Sequence, residues 1–136
     1  MAGLEVHLVT PEREVWAGEA DFVTARGVDG DLGVLPGHAP LLAALAVGPV
    51  YIDAGGSRTA VAVDGGFLHV AHEGDVTRVD ILAERAVLPD ELGGGDDDAE
   101  AHERRAEELR NEHRLDEARE ERAKAATRRR VAENGR

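Results

Sequence analysis

The fold is decided by residues 50–70, which read VYIDAGGSRTAVAVDGGFLHV. Three apolar runs in this stretch, at 50–53, 59–63 and 67–70, have the length and composition typical of β-strands. Gly55-Gly56 separates the first two runs, and Asp64-Gly65 separates the last two. Because tight hairpin turns require positive φ, which glycine adopts readily, the stretch predicts two consecutive β-hairpins.

Strand patterns continue on both sides of this stretch. Leu4, Val6 and Leu8 alternate with polar residues, which is the period of a half-buried strand. Further runs at 22–26 and 76–82 bring the prediction to roughly eight to ten short strands, a number that favours a sandwich or flattened barrel.

Composition changes after Leu88. Residues 1–88 hold 13 acidic and 5 basic residues and most of the large apolar ones, whereas residues 89–136 hold 15 acidic and 11 basic residues. Only the first part can bury a core, and Pro89 and the glycines at 93–95 punctuate the chain between the two parts. We therefore predict a β-sandwich domain at 1–88, a Gly-rich linker at 89–95 and an arm at 96–136.

The arm reads as two helices, from 96 to about 114 and from 115 to about 133. Asp96-Asp97-Asp98 offers N-caps at the positive end of the first helix dipole, and Asn134-Gly135 is a stop signal for the second. The apolar stripe is thin, so the pair needs a partner surface to be stable.

Charge and composition exclude several classes of function. The net charge of −12 argues against binding to nucleic acid or to anionic lipid. The chain has no cysteine, which excludes disulfides, thiolate nucleophiles and Cys-based metal sites. Its 16 glycines form no usual phosphate loop, and no nucleophile or ligand cluster is visible, so we predict no catalytic residue, no metal and no resident cofactor.

Residues 28–45 carry a resemblance. Three glycines and two prolines lie within 11 residues here, which predicts a rigid loop that leads into an apolar run. The string DGDLGVLPGHAPLL, at 29–42, resembles the signature of the epsilon subunit of the F-type ATP synthase, the delta subunit in mitochondria. Residues 6–18, 63–70 and 79–86 also resemble that family, so the similarity covers residues 4–88. The arm matches by architecture.

The resemblance implies a ten-stranded β-sandwich followed by two C-terminal helices, folded as a hairpin or extended. It implies a non-catalytic rotor subunit of the proton-translocating F1Fo ATP synthase, at the cytoplasmic face of the bacterial plasma membrane. Its partners would be the gamma subunit and the c-subunit ring. The arm would reach the alpha/beta catalytic hexamer and inhibit ATP hydrolysis.

Two sets of contact residues follow from the resemblance and from charge. The loop that faces gamma and the c ring would contain Asp31, Leu32, Gly33, Pro36, Gly37 and His38. A basic cluster near the end of the arm is either a solvated helix face or a docking surface for acidic parts of the catalytic subunits. Its members are Arg122, Lys124, Arg128, Arg129 and Arg130.

ATP as a regulatory ligand of the arm depends on one string. The family motif, Ile/Leu-Asp-x-x-Arg-Ala just after the linker, is absent here because Leu92 is followed by three glycines. A similar string, LDEAR at 115–119, occurs later. Either it belongs to the ordinary second helix, or it is a displaced motif in which Asp116 and Arg119 bind ATP.

Two functions of other classes remain. The chain could be a small sandwich hydrolase in which His38 works with Asp29 or Asp31 as acid–base groups. It could also be an adaptor whose charged helices form a coiled coil, although sustained apolar heptads are absent. Copurification with gamma separates the rotor subunit from both, because the hydrolase would turn over alone.

Overall fold

A computed structural model describes residues 3–92 and 98–134, which form eight strands, one 3₁₀ turn and two helices. The strands are β1 (Leu4–Val9), β2 (Glu14–Ala20), β3 (Phe22–Gly27), β4 (Gly30–Val34), β5 (Leu41–Ala54), β6 (Ser57–Glu73), β7 (Val76–Ala83) and β8 (Ala86–Val87). The 3₁₀ turn is Pro89–Glu91, and the helices are α1 (Ala99–Asn111) and α2 (Leu115–Asn134). None of the described helices has the length and apolar character that a membrane crossing requires.

The strands follow the order β2-β1-β7-β6-β5-β3-β4, and β8 pairs with β6. All pairs are antiparallel except β1 with β7. Asp21 alone separates β2 from β3, and its N–H donates to the carbonyl of Asp53 at 2.7 Å. This hydrogen bond brings the end of β2 beside β5, and the sheet folds over one apolar core built mainly from β1, β3 and β7 and from the inward sides of β5 and β6.

The second predicted hairpin is wrong. β6 continues through Asp64-Gly65-Gly66 and stays paired with β5 on both sides of these residues. Gly65 and Gly66 have φ of +103° and +137°, and a side chain at Gly66 would collide with the backbone of Leu82 and Ala83. The glycines with positive φ thus form a bend within one strand instead of a hairpin turn. A hairpin turn here would break the hydrogen bonds between β6 and β5.

The bend changes which side chains of β6 face the core. Before it Val61 and Val63 point inward, and after it Leu68 and Val70 do. β5 and β6 are 14 and 17 residues long and bend together, which contributes to a strand count of eight where ten were predicted.

The predicted rigid loop is also partly wrong. β4 occupies Gly30–Val34, pairs with β3 and buries Val34, so Asp31, Leu32 and Gly33 lie on an edge strand. The predicted loop is confirmed only for residues 35–40. A tight turn at Val28-Asp29 connects β3 to β4, and Gly27 and Gly30 pair directly on the two sides of this turn.

The two predicted helices are present and fold back as a hairpin. Asp98 caps α1 by accepting a hydrogen bond from the N–H of Ala101 at 2.8 Å, while the predicted caps Asp96 and Asp97 lie outside the described residues. The same holds for the linker glycines at 93–95 and for the stop signal at Gly135. The turn between the helices places His113 at φ +61°, and α2 packs against β5 and β6.

Candidate interaction surfaces and the docked arm

Large apolar side chains cover part of the outer face of the sheet. Val9, Leu82, Phe67 and Ala44 are direct neighbours across β1, β7, β6 and β5. Phe67 is 52% exposed and Leu82 is 53% exposed. Two more exposed residues adjoin this row, and we call the whole set the bare strip: Val9, Val28, Leu42, Ala44, Phe67 and Leu82.

A shallow groove of about 380 Å³ runs along one end of the bare strip. Val9, Pro11, Phe67 and Leu82 line it, and Glu84 lies at its polar side. Contiguous exposed apolar surface of this kind is unusual on a monomer, so the bare strip is a candidate surface for protein–protein contact.

The loop at 35–40 is held rigidly. The N–H of Gly37, at φ +87°, donates to the Thr77 hydroxyl at 2.7 Å, and Thr77 is buried. His72 donates from Nε2 to the carbonyl of His38 at 2.6 Å. Leu35 and Pro36 remain exposed, so the loop presents a fixed, partly apolar end of the domain.

His38 shows no acid–base arrangement. Its ring Nδ1 lies 2.7 Å from the carbonyl of Ala39, so it bonds with its own loop rather than with the carboxyl group of Asp29 or Asp31. Asp31 is an exposed residue of β4 whose nearest cation is Arg26, at 3.7 Å. Within residues 3–92 and 98–134, no three His, Asp or Glu side chains converge in a way that could hold a metal ion.

A second apolar area on the outer face lies under α2. We call it the covered patch: Tyr51, Ala60, Ala62 and Val87. Val131 of α2 is fully buried against it, and Leu92 packs at its edge. The covered patch and the bare strip both include outward residues of β5 and β6, and these residues lie on opposite sides of the bend at Asp64-Gly65-Gly66.

Arg128 joins the arm to that bend. Its guanidinium nitrogens lie 2.6 and 2.7 Å from the two carboxylate oxygens of Asp64, and the side chains are 0% and 4% exposed. Arg128 is therefore not part of a solvated basic face in this docked arm, and its predicted contact with catalytic subunits stays a prediction. The reason is helical spacing, because Arg128 lies three residues from both Ala125 and Val131 on the buried side of α2.

The other members of the basic cluster are distributed differently. Arg122, Arg129 and Arg130 are exposed, and Lys124 is partly buried 3.5 Å from Glu121. Arg129 pairs with Glu103 of α1 at 2.6 Å, and this hydrogen bond holds the pKa of Glu103 below its ordinary value. The cluster is thus not one continuous face, since one member points to the sandwich and the exposed ones to solvent.

A buried His–Glu contact fastens α1 to α2. His102 is buried and bonds through Nδ1 with the carboxylate of Glu121, while the guanidinium of Arg105 lies 3.2 Å from the same nitrogen. Burial works to raise the pKa of Glu121, but the His102 hydrogen bond and the charge of Lys124 outweigh it and leave the pKa below its ordinary value. His102 fills the seam between the two helices, whereas His113 lies exposed in the turn.

Comparison with known proteins identifies the family. The family model for the ATP synthase delta/epsilon chain β-sandwich domain matches residues 3–89. An ATP synthase epsilon chain of Streptomyces avermitilis is 45% identical over 112 residues, which cover 82% of this chain and 83% of that protein. The chain belongs to the ATP synthase delta/epsilon family. Another epsilon chain, from Frankia casuarinae, is 55% identical over 86 residues, covering 62% of this chain and 96% of that protein.

Solved structures agree with this membership. In the mitochondrial ATP synthase of Euglena gracilis, described as OSCP, F1 and c-ring, a chain with 26% identity gives a TM-score of 0.67. The match covers 98% of this chain and 79% of that one. A chain of the Tetrahymena thermophila central stalk and c-ring, at 21% identity and a TM-score of 0.52, covers 65% of this chain and 69% of that one and shows the fold alone.

Membership confirms the predicted β-sandwich class and the predicted function at the level of the family, an epsilon-type central-stalk subunit that is not catalytic. Family membership does not decide whether the string LDEAR at 115–119 is a displaced ATP motif. The structure places these residues in the first turns of the ordinary second helix, with Asp116 and Arg119 exposed and Ala118 buried.

The sequence prediction missed the bare strip. Residues 67–70 are predicted as a strand, but the prediction assigns no outer side to Phe67. Alternation at 67–70 separates Phe67 and His69 from Leu68 and Val70, but both sets contain large apolar residues. Large apolar residues on both sides of one strand are the signal that could have indicated it.

Proposed function

We propose that this protein is the epsilon subunit of a proton-translocating F1Fo ATP synthase, in which it couples c-ring rotation to ATP synthesis. The observation that carries the proposal is a sandwich with a large apolar strip left bare beside a docked helical arm. The likeness to a chain of the Euglena assembly, which contains F1 and a c-ring, supports it. The site of action is the cytoplasmic face of the bacterial plasma membrane, where the subunit is peripheral.

The gamma subunit occupies the bare strip in this proposal. Phe67 and Leu82 supply the apolar centre of the contact, and the acidic and histidine side chains of the neighbouring row, Asp80, His69 and His7, supply a polar rim. An interface with a desolvated apolar centre and a polar rim is the usual anatomy of a stable protein contact.

The rigid loop at 35–40 and the edge strand β4 face the c ring. Transmission of torque needs a contact that does not deform, and the loop is pinned by Thr77 and His72. Asp31, Leu32 and Gly33 then contribute from β4, and Pro36, Gly37 and His38 from the loop. Residues 1–88 act as the foot of the rotor.

The arm at 96–136 acts as the regulatory element. In the docked state it covers its own patch on the sandwich, and extended it would reach the alpha/beta hexamer and inhibit ATP hydrolysis. Arg122, Arg129 and Arg130 are exposed already in the docked state, whereas Arg128 reaches a partner only after the arm leaves Asp64. We propose no resident cofactor and no ATP site at Asp116 and Arg119.

Truncation after Leu92 tests the division of labour. The cut keeps the 3₁₀ turn, because Glu91 pairs with Arg13 at 2.6 Å and its carboxylate accepts the N–H of Leu88. We expect the truncated subunit to bind gamma normally and to raise ATP hydrolysis by the assembled enzyme. Loss of gamma binding would overturn the proposed foot, and unchanged hydrolysis would overturn the proposed arm.

The purified full-length chain provides the control against the other two functions. We expect it to show no hydrolytic turnover alone and to copurify with gamma and the rest of the ATP synthase. Titration with ATP, followed by NMR of the α2 amides, should show no saturable change, and tight binding abolished by Arg119→Ala would restore the displaced ATP motif.

A further inference from the structure

The contact between the arm and the sandwich contains one feature that apolar packing does not explain. Arg128 is fully buried in an area whose other members are small, chiefly Ala60, Ala62 and Val131. Other described ion pairs of the arm, such as Arg129 with Glu103 and Lys124 with Glu121, connect the arm to itself. The bidentate pair of Arg128 with Asp64 instead connects it to the sandwich.

The backbone of Asp64 is held by hydrogen bonds within the sandwich itself. Its N–H donates to the carbonyl of Arg85 at 3.0 Å, and the next residue, Gly65, accepts the N–H of Glu84 at 3.1 Å. The bend of β6 is therefore fastened to the segment between β7 and β8. A carboxylate on such a fixed backbone offers one position and one orientation to a planar guanidinium, which suits bidentate pairing.

A buried ion pair of this kind specifies geometry more than it adds stability. Desolvation offsets most of the attraction, so an apolar pair of similar size would hold the arm about as well. Removal of one partner is different, because it leaves a buried charge without its counterion in the docked state. In the undocked state water solvates both groups, so a single neutralisation favours release of the arm.

We propose that the Asp64–Arg128 pair is the latch that fixes the register of the arm on the sandwich and decides the docked fraction. α2 alone has little apolar surface, and the apolar part of its contact with the sandwich is formed chiefly by two alanines, Tyr51 and Val87. Sliding the helix by one turn, about 5.4 Å, would separate Arg128 from Asp64, and a buried charge without its counterion is costly. The latch concerns docking in the isolated chain; its effect on ATP hydrolysis rests on the proposed function.

The test uses the full-length chain at neutral pH. Arg128→Met keeps the length of the side chain, removes the charge and leaves the sequence of the sandwich unchanged. We expect amide exchange along α2 to accelerate on the order of 10²–10³-fold, and the ring resonances of Tyr51 to shift, as the arm leaves. Tyr51 is the single tyrosine of the chain, so its signals are assigned without ambiguity.

Two variants make the result specific. Arg129→Met is the matched control, because it removes the neighbouring charge on the exposed side together with only a surface ion pair to Glu103, and α2 should exchange nearly as in the parent chain. Asp64→Leu combined with Arg128→Met replaces the whole pair by apolar side chains and should restore most of the protection of α2. Amides of β1 and β7 serve as the internal standard for an intact sandwich.

The outcomes separate the latch from the proposed function. If Arg128→Met leaves α2 as protected as Arg129→Met does, or if the double variant exchanges as fast as the single one, the latch is wrong. If Arg128→Met releases the arm but hydrolysis by the assembled ATP synthase does not change, the latch stands and the regulatory role of the arm fails.

Discussion

β5 and β6 present an apolar outer face twice, and the chain covers only one of the two areas. Under α2 the outward-facing positions of the strands are occupied by Ala60 and Ala62, beside Tyr51. Beyond the bend, the corresponding positions carry Phe67 and Leu42, with Leu82 alongside on β7. The two areas differ in the size of their side chains, although they belong to the same strands.

That difference indicates two kinds of contact. Alanines allow a helix to approach the sheet closely, but they release little free energy on burial, so the apolar part of the contact with the arm is weak. Phe and Leu offer far more apolar area for burial, and a contiguous exposed set of them is typical of a surface that a partner covers. We infer that the covered patch suits a reversible contact within the chain and the bare strip a lasting contact with another subunit.

The largest expected effect comes from a charge in the bare strip. Phe67→Asp should weaken binding to gamma by at least about 100-fold, because truncation of a central aromatic anchor and burial of an unpaired carboxylate act together. The thermal stability of the isolated chain should change little, since Phe67 is half exposed. Titration calorimetry with purified gamma measures the first quantity and thermal unfolding the second.

Val76→Asp is the matched control for that variant. Val76 is also an exposed apolar residue on the outer part of the sheet, but it lies at the far end of β7 from Leu82. The Val76→Asp variant should bind gamma with the same affinity as the parent chain. Equal losses in the two variants would show that gamma does not select the bare strip.

How much of this could be read from the sequence depends on how local each feature is. Alternation located β1 correctly, because Leu4, Val6 and Leu8 are buried while Glu5 and His7 are polar and face outward. The same rule failed at residues 60–70, where the bend changes the inward side and both sides are apolar. The pair formed by Arg128 with Asp64 spans 64 residues of chain, and no local pattern marks a charged helix residue as buried.

The second prediction concerns the small side chains under α2. Ala60→Leu should destabilise the docked arm by up to about 3 kcal/mol, because extra methyl groups in a packed contact force the helix away from the sheet. Ala44→Leu places the same side chain in the bare strip and should leave the arm docked. Amide exchange of α2 in the two variants provides the measurement, and equal protection would show that close approach to the alanines is unimportant.

The third prediction removes material from the same contact. Val131→Ala should cost the docked arm about 1.5–2 kcal/mol, since two buried methyl groups are lost and α2 has few others to replace them. Val28→Ala makes the same change at an exposed position of the bare strip, and its cost should stay within about 0.5 kcal/mol. Chemical unfolding followed by helical circular dichroism measures both, and a larger loss for Val28→Ala would reverse the assignment of covered and bare surfaces.

The smallest expected effect is a dependence of the arm on pH. The pKa of Glu121 lies below its ordinary value in the folded chain, so its contribution to stability is present above the ordinary glutamate pKa of about 4.3 and is lost as the pH falls through the lower, folded value. His7 on the sandwich has the opposite sign. The hydrogen bond that it donates to Glu5 raises the pKa of His7, so its small contribution is present below the ordinary histidine pKa and fades as the pH rises through the folded value. Acid should therefore loosen the arm before the sandwich.

Amide exchange at stepwise lower pH measures this difference between the arm and the sandwich. Glu121→Gln should flatten the pH profile of exchange in α2, while the profile of β1 stays as in the parent chain. An equally steep profile in Glu121→Gln would assign the acid sensitivity of the arm to other carboxylates.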